Sequence, residues 1–91
     1  MRYVFKASRI SGDGNALFPD KLIIDDEKVT FYKGKLIGYD QSVIMREGIG
    51  SVSISQHVLF GDVVIESKGS QIIHAEGFTR SDAKKILRLL S

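Results

Sequence analysis

The stretch Thr79-Arg80-Ser81-Asp82-Ala83-Lys84-Lys85-Ile86-Leu87-Arg88-Leu89-Leu90 decides the fold class. Ala83, Ile86, Leu87 and Leu90 recur at three- and four-residue spacing, which puts them in one apolar stripe of an α-helix. Lys84, Lys85 and Arg88 fall mostly off that stripe. Thr79 suits the N-cap, because its hydroxyl accepts from a free backbone N–H two or three residues on. Asp82 stands at the capping-box position, where its charge matches the positive end of the helix. Phe78 and Ala83 have the spacing of a hydrophobic staple around the cap. An isolated helix this short is marginal in water, so it is expected to be docked. Burying Ile86, Leu87 and Leu90 is expected to contribute about 1.5–3 kcal/mol each.

Upstream of Phe78 the pattern changes to short strand-like runs punctuated by Gly and Asp. Arg2 to Ser8 alternates weakly, with Tyr3, Phe5 and Ala7 on one face. Ser11-Gly12-Asp13-Gly14-Asn15 is the clearest loop, and Pro19 suits the first position of an edge strand. Lys21–Asp25 and Val29–Lys33 are β-branched or aromatic runs, and Asp26-Glu27 between them predicts a hairpin. Ser42–Met45 is a further short strand, and Arg46–Gly50 breaks the pattern. Ser51–Ser55 then alternates strictly, which turns Val52 and Ile54 inward. Val63–Glu66 and Gln71–Ala75 are separated by a turn at Lys68-Gly69-Ser70. No helix is predicted between strands to carry parallel crossovers. The expectation is a mostly β fold: a small bent antiparallel barrel of about six to seven strands capped by one C-terminal helix. Phe31 or Tyr32, with Val52, Ile54, Val63, Ile65, Ile86, Leu87 and Leu90, are expected in its core.

Length and composition fit this. Ninety-one residues make one domain, taken as residues 1–91, and 43% hydrophobic residues place it among ordinary globular chains. No run of eighteen apolar residues appears, and Arg2 and Lys6 interrupt the apolar core that a signal peptide requires. Cysteine is absent, which excludes disulfides and thiolate chemistry and fits a reducing compartment. The expected location is the cytoplasm. A net charge of +2 is too mild to point to nucleic acid.

Three stretches resemble a known family. Ile49-Gly50-Ser51-Val52 is like the Ile-x-Ser-Val strand opening of the bacterial pleckstrin-homology-like (PH-like) domains. Gly61-Asp62-Val63-Val64-Ile65 is like the Gly-Asp before their sixth strand, and Gly77-Phe78 runs into the Ala83–Leu90 helix as theirs does. In this order they cover roughly Lys21 to Ser91. The resemblance implies a strongly bent antiparallel barrel capped by a helix. It further implies a bacterial self-associating or scaffold domain. An OB-type barrel is the alternative, although a terminal amphipathic helix is less typical of it.

Residues able to carry chemistry are few. His57 and His74 stand at no short ligand spacing with each other or a cysteine, so neither a catalytic pair nor a metal site is expected. No Gly-x-Ser-x-Gly elbow surrounds a serine. Asp25-Asp26-Glu27 lacks the alternating oxygen ligands of a calcium loop and reads as a hairpin tip. Gly12-Asp13-Gly14 is too short for a phosphate loop. No cofactor, catalytic residue or small-molecule substrate is expected. Phe31, Tyr32, Lys33 and Lys35 mix aromatics with cations as single-strand binders do, but the acidic tip beside them argues against nucleic acid.

Two surfaces remain as candidates. Val58, Leu59 and Phe60 form a local apolar run that either makes a contact patch or plugs one barrel end. Lys6, Arg9 and Lys21 form a basic surface on the first hairpin, with Asp13 and Asp20 among them. Phosphoinositide-binding members of the wider superfamily carry a Lys/Arg-x-Arg element there, which this chain lacks. The first expectation is therefore a non-enzymatic module that binds a protein partner or a copy of itself, by strand addition or through the apolar run. A peripheral membrane module binding anionic lipid head groups is the second.

Overall fold

The computed structural model describes residues 1–7, 20–34 and 38–91. The expected loop at 11–15, Pro19, Arg9 and Lys35 lie outside the described residues. Among the described residues, seven strands precede one helix: β1 (Tyr3–Lys6), β2 (Lys21–Ile24), β3 (Lys28–Gly34), β4 (Tyr39–Met45), β5 (Ile49–Gln56), β6 (Phe60–Ser67), β7 (Ile72–Thr79) and α1 (Arg80–Leu90). The ladders make two antiparallel sheets, a four-stranded one in the order β1-β2-β3-β4 and a three-stranded one in the order β5-β6-β7. A single 3₁₀ turn, Arg46–Gly48, joins them. The fold is thus mostly β with one terminal helix, as the sequence predicts.

Register explains which side chains meet. In the four-stranded sheet Tyr3, Ile24, Val29 and Ile44 form one cross-strand row, and Phe5, Leu22, Phe31 and Ser42 the next. Side chains alternate along each strand, so these rows share one face. In the three-stranded sheet the matching rows are Val52, Ile65 and Ile73, then Ile54, Val63 and Ala75. Both inner faces meet α1 in one core containing Phe5, Leu22, Ile24, Val29, Phe31, Ile44, Val63, Ile65, Ile73, Ala75, Phe78, Ala83 and Ile86. Val52 and Ile54 are half-buried and pack against it, so the inward register expected for β5 holds. Phe31 is the buried member of its pair, and Tyr32 lies half-buried on the opposite face.

The helix begins as its sequence dictates. Thr79 Oγ1 accepts from the Asp82 N–H at 3.1 Å, and the staple residues Phe78 and Ala83 are both fully buried. One expectation fails: Leu87 is half-buried and lies outside the core, whereas Leu89 and Leu90 pack against it. Apolar residues at 86, 87, 89 and 90 make a stripe wider than the contact requires. Docking rolls the helix toward Leu89 and leaves Leu87 on the far flank.

Strand β7 runs longer than its sequence suggests, through a bulge opposite Asp62 to Thr79. Gly77 there has φ +84°, a left-handed conformation that costs glycine least. Gly61 serves close packing instead. A Cβ at Gly61 would stand 2.8 Å from the Ala83 Cβ and 2.7 Å from Gln56 Oε1, so its bareness lets α1 approach the sheet.

Candidate functional site

The β5–β6 hairpin ends in His57-Val58-Leu59. Its turn is closed by the His57 N–H, which donates to the Phe60 carbonyl at 2.7 Å. His57 Nε2 lies 2.9 Å from Asp62 Oδ2, and Asp62 Oδ1 accepts from the Gly77 N–H at 3.2 Å. Asp62 therefore ties the hairpin to the bulge of β7. Gln56 Nε2 donates to the Arg80 carbonyl at 3.3 Å, which anchors the same end to the first turn of α1. On this fixed base the apex is bare: Val58 is 87% and Leu59 72% exposed. Phe60 differs from them. It is half-buried and opens β6 opposite Thr79. Two large aliphatic side chains are thus held in solvent on an anchored turn.

Of the predicted basic surface, the fold brings Lys6 and Lys21 together as direct cross-strand partners on β1 and β2, while Arg9 lies outside the described residues. Lys21 Nζ stands 5.1 Å from the centre of the Tyr32 ring, a cation–π contact with the next strand. Asp20 is buried; its carboxylate accepts from the Gly34 N–H at 3.1 Å and lies 3.6 Å from Lys33 Nζ. Its position just before β2 gives no sequence sign of that burial.

The acidic tip is organised by backbone hydrogen bonds. Asp25 Oδ1 accepts from the Glu27 N–H at 2.8 Å and the Lys28 N–H at 2.9 Å. These two donors, aided by the nearby Lys28 ammonium, hold the Asp25 carboxyl below its usual range. Asp26 instead meets the N-terminal ammonium at 2.8 Å. A shallow open depression of about 240 Å³ lies beside the tip, lined by Asp26, Glu27, Met45, Arg46 and Glu47. His74 Nε2 is 3.9 Å from Glu76 Oε1, and among the described residues no three His, Cys, Asp or Glu side chains gather as metal ligands would. Among them, too, no helix is long and apolar enough to cross a membrane.

One surface is absent from the sequence reading. Val4, Tyr39, Val43 and Met45 are four of the eight exposed large apolar residues described, and all four share the outer face of the four-stranded sheet. The signal lay in β1 and β4, where apolar residues occupy both strand parities. Compared with known proteins, the chain matches no family model and no curated protein.

Proposed function

We propose that this chain is a non-enzymatic interaction module of PH-like architecture that binds a protein partner or a copy of itself. The order of four strands, three strands and a terminal helix supports the PH-like reading, as do the two sheets closing on one core. The bent barrel belongs to the same reading. The observation that carries the function is the anchored apex with Val58 and Leu59 in solvent. The terminal strands of the two ladders, β1, β4, β5 and β7, offer further backbone groups for strand addition. The module takes no cofactor, nucleic acid or small-molecule substrate.

Size-exclusion chromatography with light scattering tests this. The wild-type chain is expected to exceed monomer mass as concentration rises. Val58→Ser with Leu59→Ser is expected to reduce that mass and leave far-UV circular dichroism unchanged. Phe60 is left in place because it belongs to β6. A wild-type monomer at every concentration argues against self-association. The adjacency of Lys6 and Lys21 favours a second reading, anionic lipid. Co-sedimentation with phosphatidylserine vesicles at low and high salt separates the two.

A further inference from the structure

The outward faces of the two sheets differ in charge. On the four-stranded sheet the row Val4, Ile23, Thr30 and Val43 crosses all four strands on the side away from the core. Ile23 is buried there without joining the core cluster. Met45 and Tyr39 extend this apolar surface along β4, and Lys6 and Lys21 flank it. The carboxylates of the β2–β3 tip, Asp25, Asp26 and Glu27, stand at its end beyond the strands; Asp25 is 3.7 Å from Lys28 Nζ and Asp26 2.8 Å from the N-terminal ammonium.

The outward face of the three-stranded sheet is acidic. Ser51, Ser53 and Ser55 fill β5, and their small side chains let another surface come close. Beside them stand Asp62, Val64 and Glu66 on β6, then Ile72 on β7, which is 60% exposed. Glu76 lies on this face too, next to His74. The helix packs on the opposite side, among the core residues Ala83 and Ile86.

We propose that the basic, apolar face of the four-stranded sheet docks onto the acidic face of the three-stranded sheet of a second copy. The inference rests on the self-association reading and adds the two sheet faces to the Val58–Leu59 apex as surfaces of that contact. Two like faces would bring together surfaces of the same sign of charge, Lys6 and Lys21 on one or Glu66 and Glu76 on the other. Unlike faces pair opposite charges and bring Val4 and Val43 toward Val64 and Ile72. Sheets pack this way about 10 Å apart within proteins. Such a contact is heterologous: each copy keeps one free face of each kind, so assembly runs on into rings or open chains.

Mixing two variants tests it. Val43→Glu with Lys6→Glu disables one face, and Ile72→Lys with Glu66→Lys disables the other. By sedimentation velocity, the wild type is expected to pass beyond the dimer as concentration rises. Each double variant alone is expected to remain monomeric. Their mixture is expected to stop at a one-to-one dimer, because only one pair of intact faces is left. If either double variant unfolds, Lys6→Glu and Glu66→Lys replace them; each is expected to weaken association at least about tenfold alone. A mixture that stays monomeric, or a folded variant that associates like wild type, overturns the proposal. In the second case, loss of association in Val58→Ser with Leu59→Ser leaves self-association standing and returns the contact to the apex. A wild type that never associates removes both readings.

Discussion

The two sheets solve the same problem differently. The three-stranded sheet has one apolar face, and α1 covers the core that this face builds. Its other face carries serines along β5, as alternation in Ser51–Ser55 requires, and carboxylates beside Val64 and Ile72 on β6 and β7. The four-stranded sheet contributes Phe5, Leu22, Ile24, Val29, Phe31 and Ile44 to the core, yet keeps Val4, Val43 and Met45 on its outside. The difference separates two uses of apolar surface. On the helical side it is spent on folding; on the outside of the larger sheet it is available for contact.

Four sets of substitutions test this distinction. The largest effect is expected at Ile86, which is fully buried between α1 and the sheets. Ile86→Ala should cost about 2–5 kcal/mol in chemical denaturation. Leu87→Ala should cost clearly less, because Leu87 is only half-buried. Equal losses would mean that the helix is rolled the other way. Next comes Gly61→Ala, expected to cost about 1–3 kcal/mol. The flexible end of Gln56 can swing aside from the new methyl, but Ala83, fully buried on α1, cannot without moving the helix. An unchanged denaturation midpoint would show that the helix–sheet approach is looser than 2.8 Å implies.

The third comparison sets two side-chain oxygens against each other. Thr79 caps α1, and Asp25 closes the β2–β3 hairpin. Thr79→Ala should cost about 1 kcal/mol, and that loss should be the same at pH 7 and pH 3. Asp25 behaves otherwise, because its carboxyl is held below the usual range. A depressed carboxylate stabilises the fold fully above its unfolded value of about 3.9. The contribution falls away as pH drops through the lower folded value. The gap in midpoint between wild type and Asp25→Asn should therefore be open at pH 7 and narrow as pH falls below the ordinary aspartate range. A gap constant across that range would place the effect in backbone geometry rather than charge. The smallest effect is expected on the outer face. Val43→Thr should change folding stability by no more than about 0.5 kcal/mol, because Val43 is partly in solvent already. A larger loss would mean that this surface serves folding after all.

Much of this architecture was legible in the sequence where local signals and packing agree. Thr79, Asp82 and the stripe from Ala83 fixed the helix to within one residue, because capping is a local interaction. Val52 and Ile54 faced inward because strict alternation leaves only one register. Legibility ended where distant segments decide. Nothing local separates Leu87 from Leu89; the sheet beneath them chooses. Gly77 looks like an end of β7 and is a bulge within it, since its ladder continues to Thr79. The meeting of Lys6 with Lys21 and the burial of Asp20 both depend on how β1, β2 and β3 pair. The apex itself was visible as Val58-Leu59-Phe60, but the division between two exposed residues and a strand-forming third came from the hairpin geometry.

Arg46, in the turn between the sheets, reaches three carbonyls. Its N–H donates to Glu27 at 2.8 Å, and its guanidinium donates to Asp25 at 3.1 Å and to Leu89 at 2.6 Å. The last of these satisfies a carbonyl that the end of α1 leaves without a helical partner. One side chain thus fastens the first hairpin described to the final turn of the helix, segments separated by most of the sequence. Fraying of α1 from its C-terminus is thereby coupled to opening of the β2–β3 turn. The last turn of α1 and the β2–β3 turn belong to one cooperative unit of unfolding, even though they share no strand ladder.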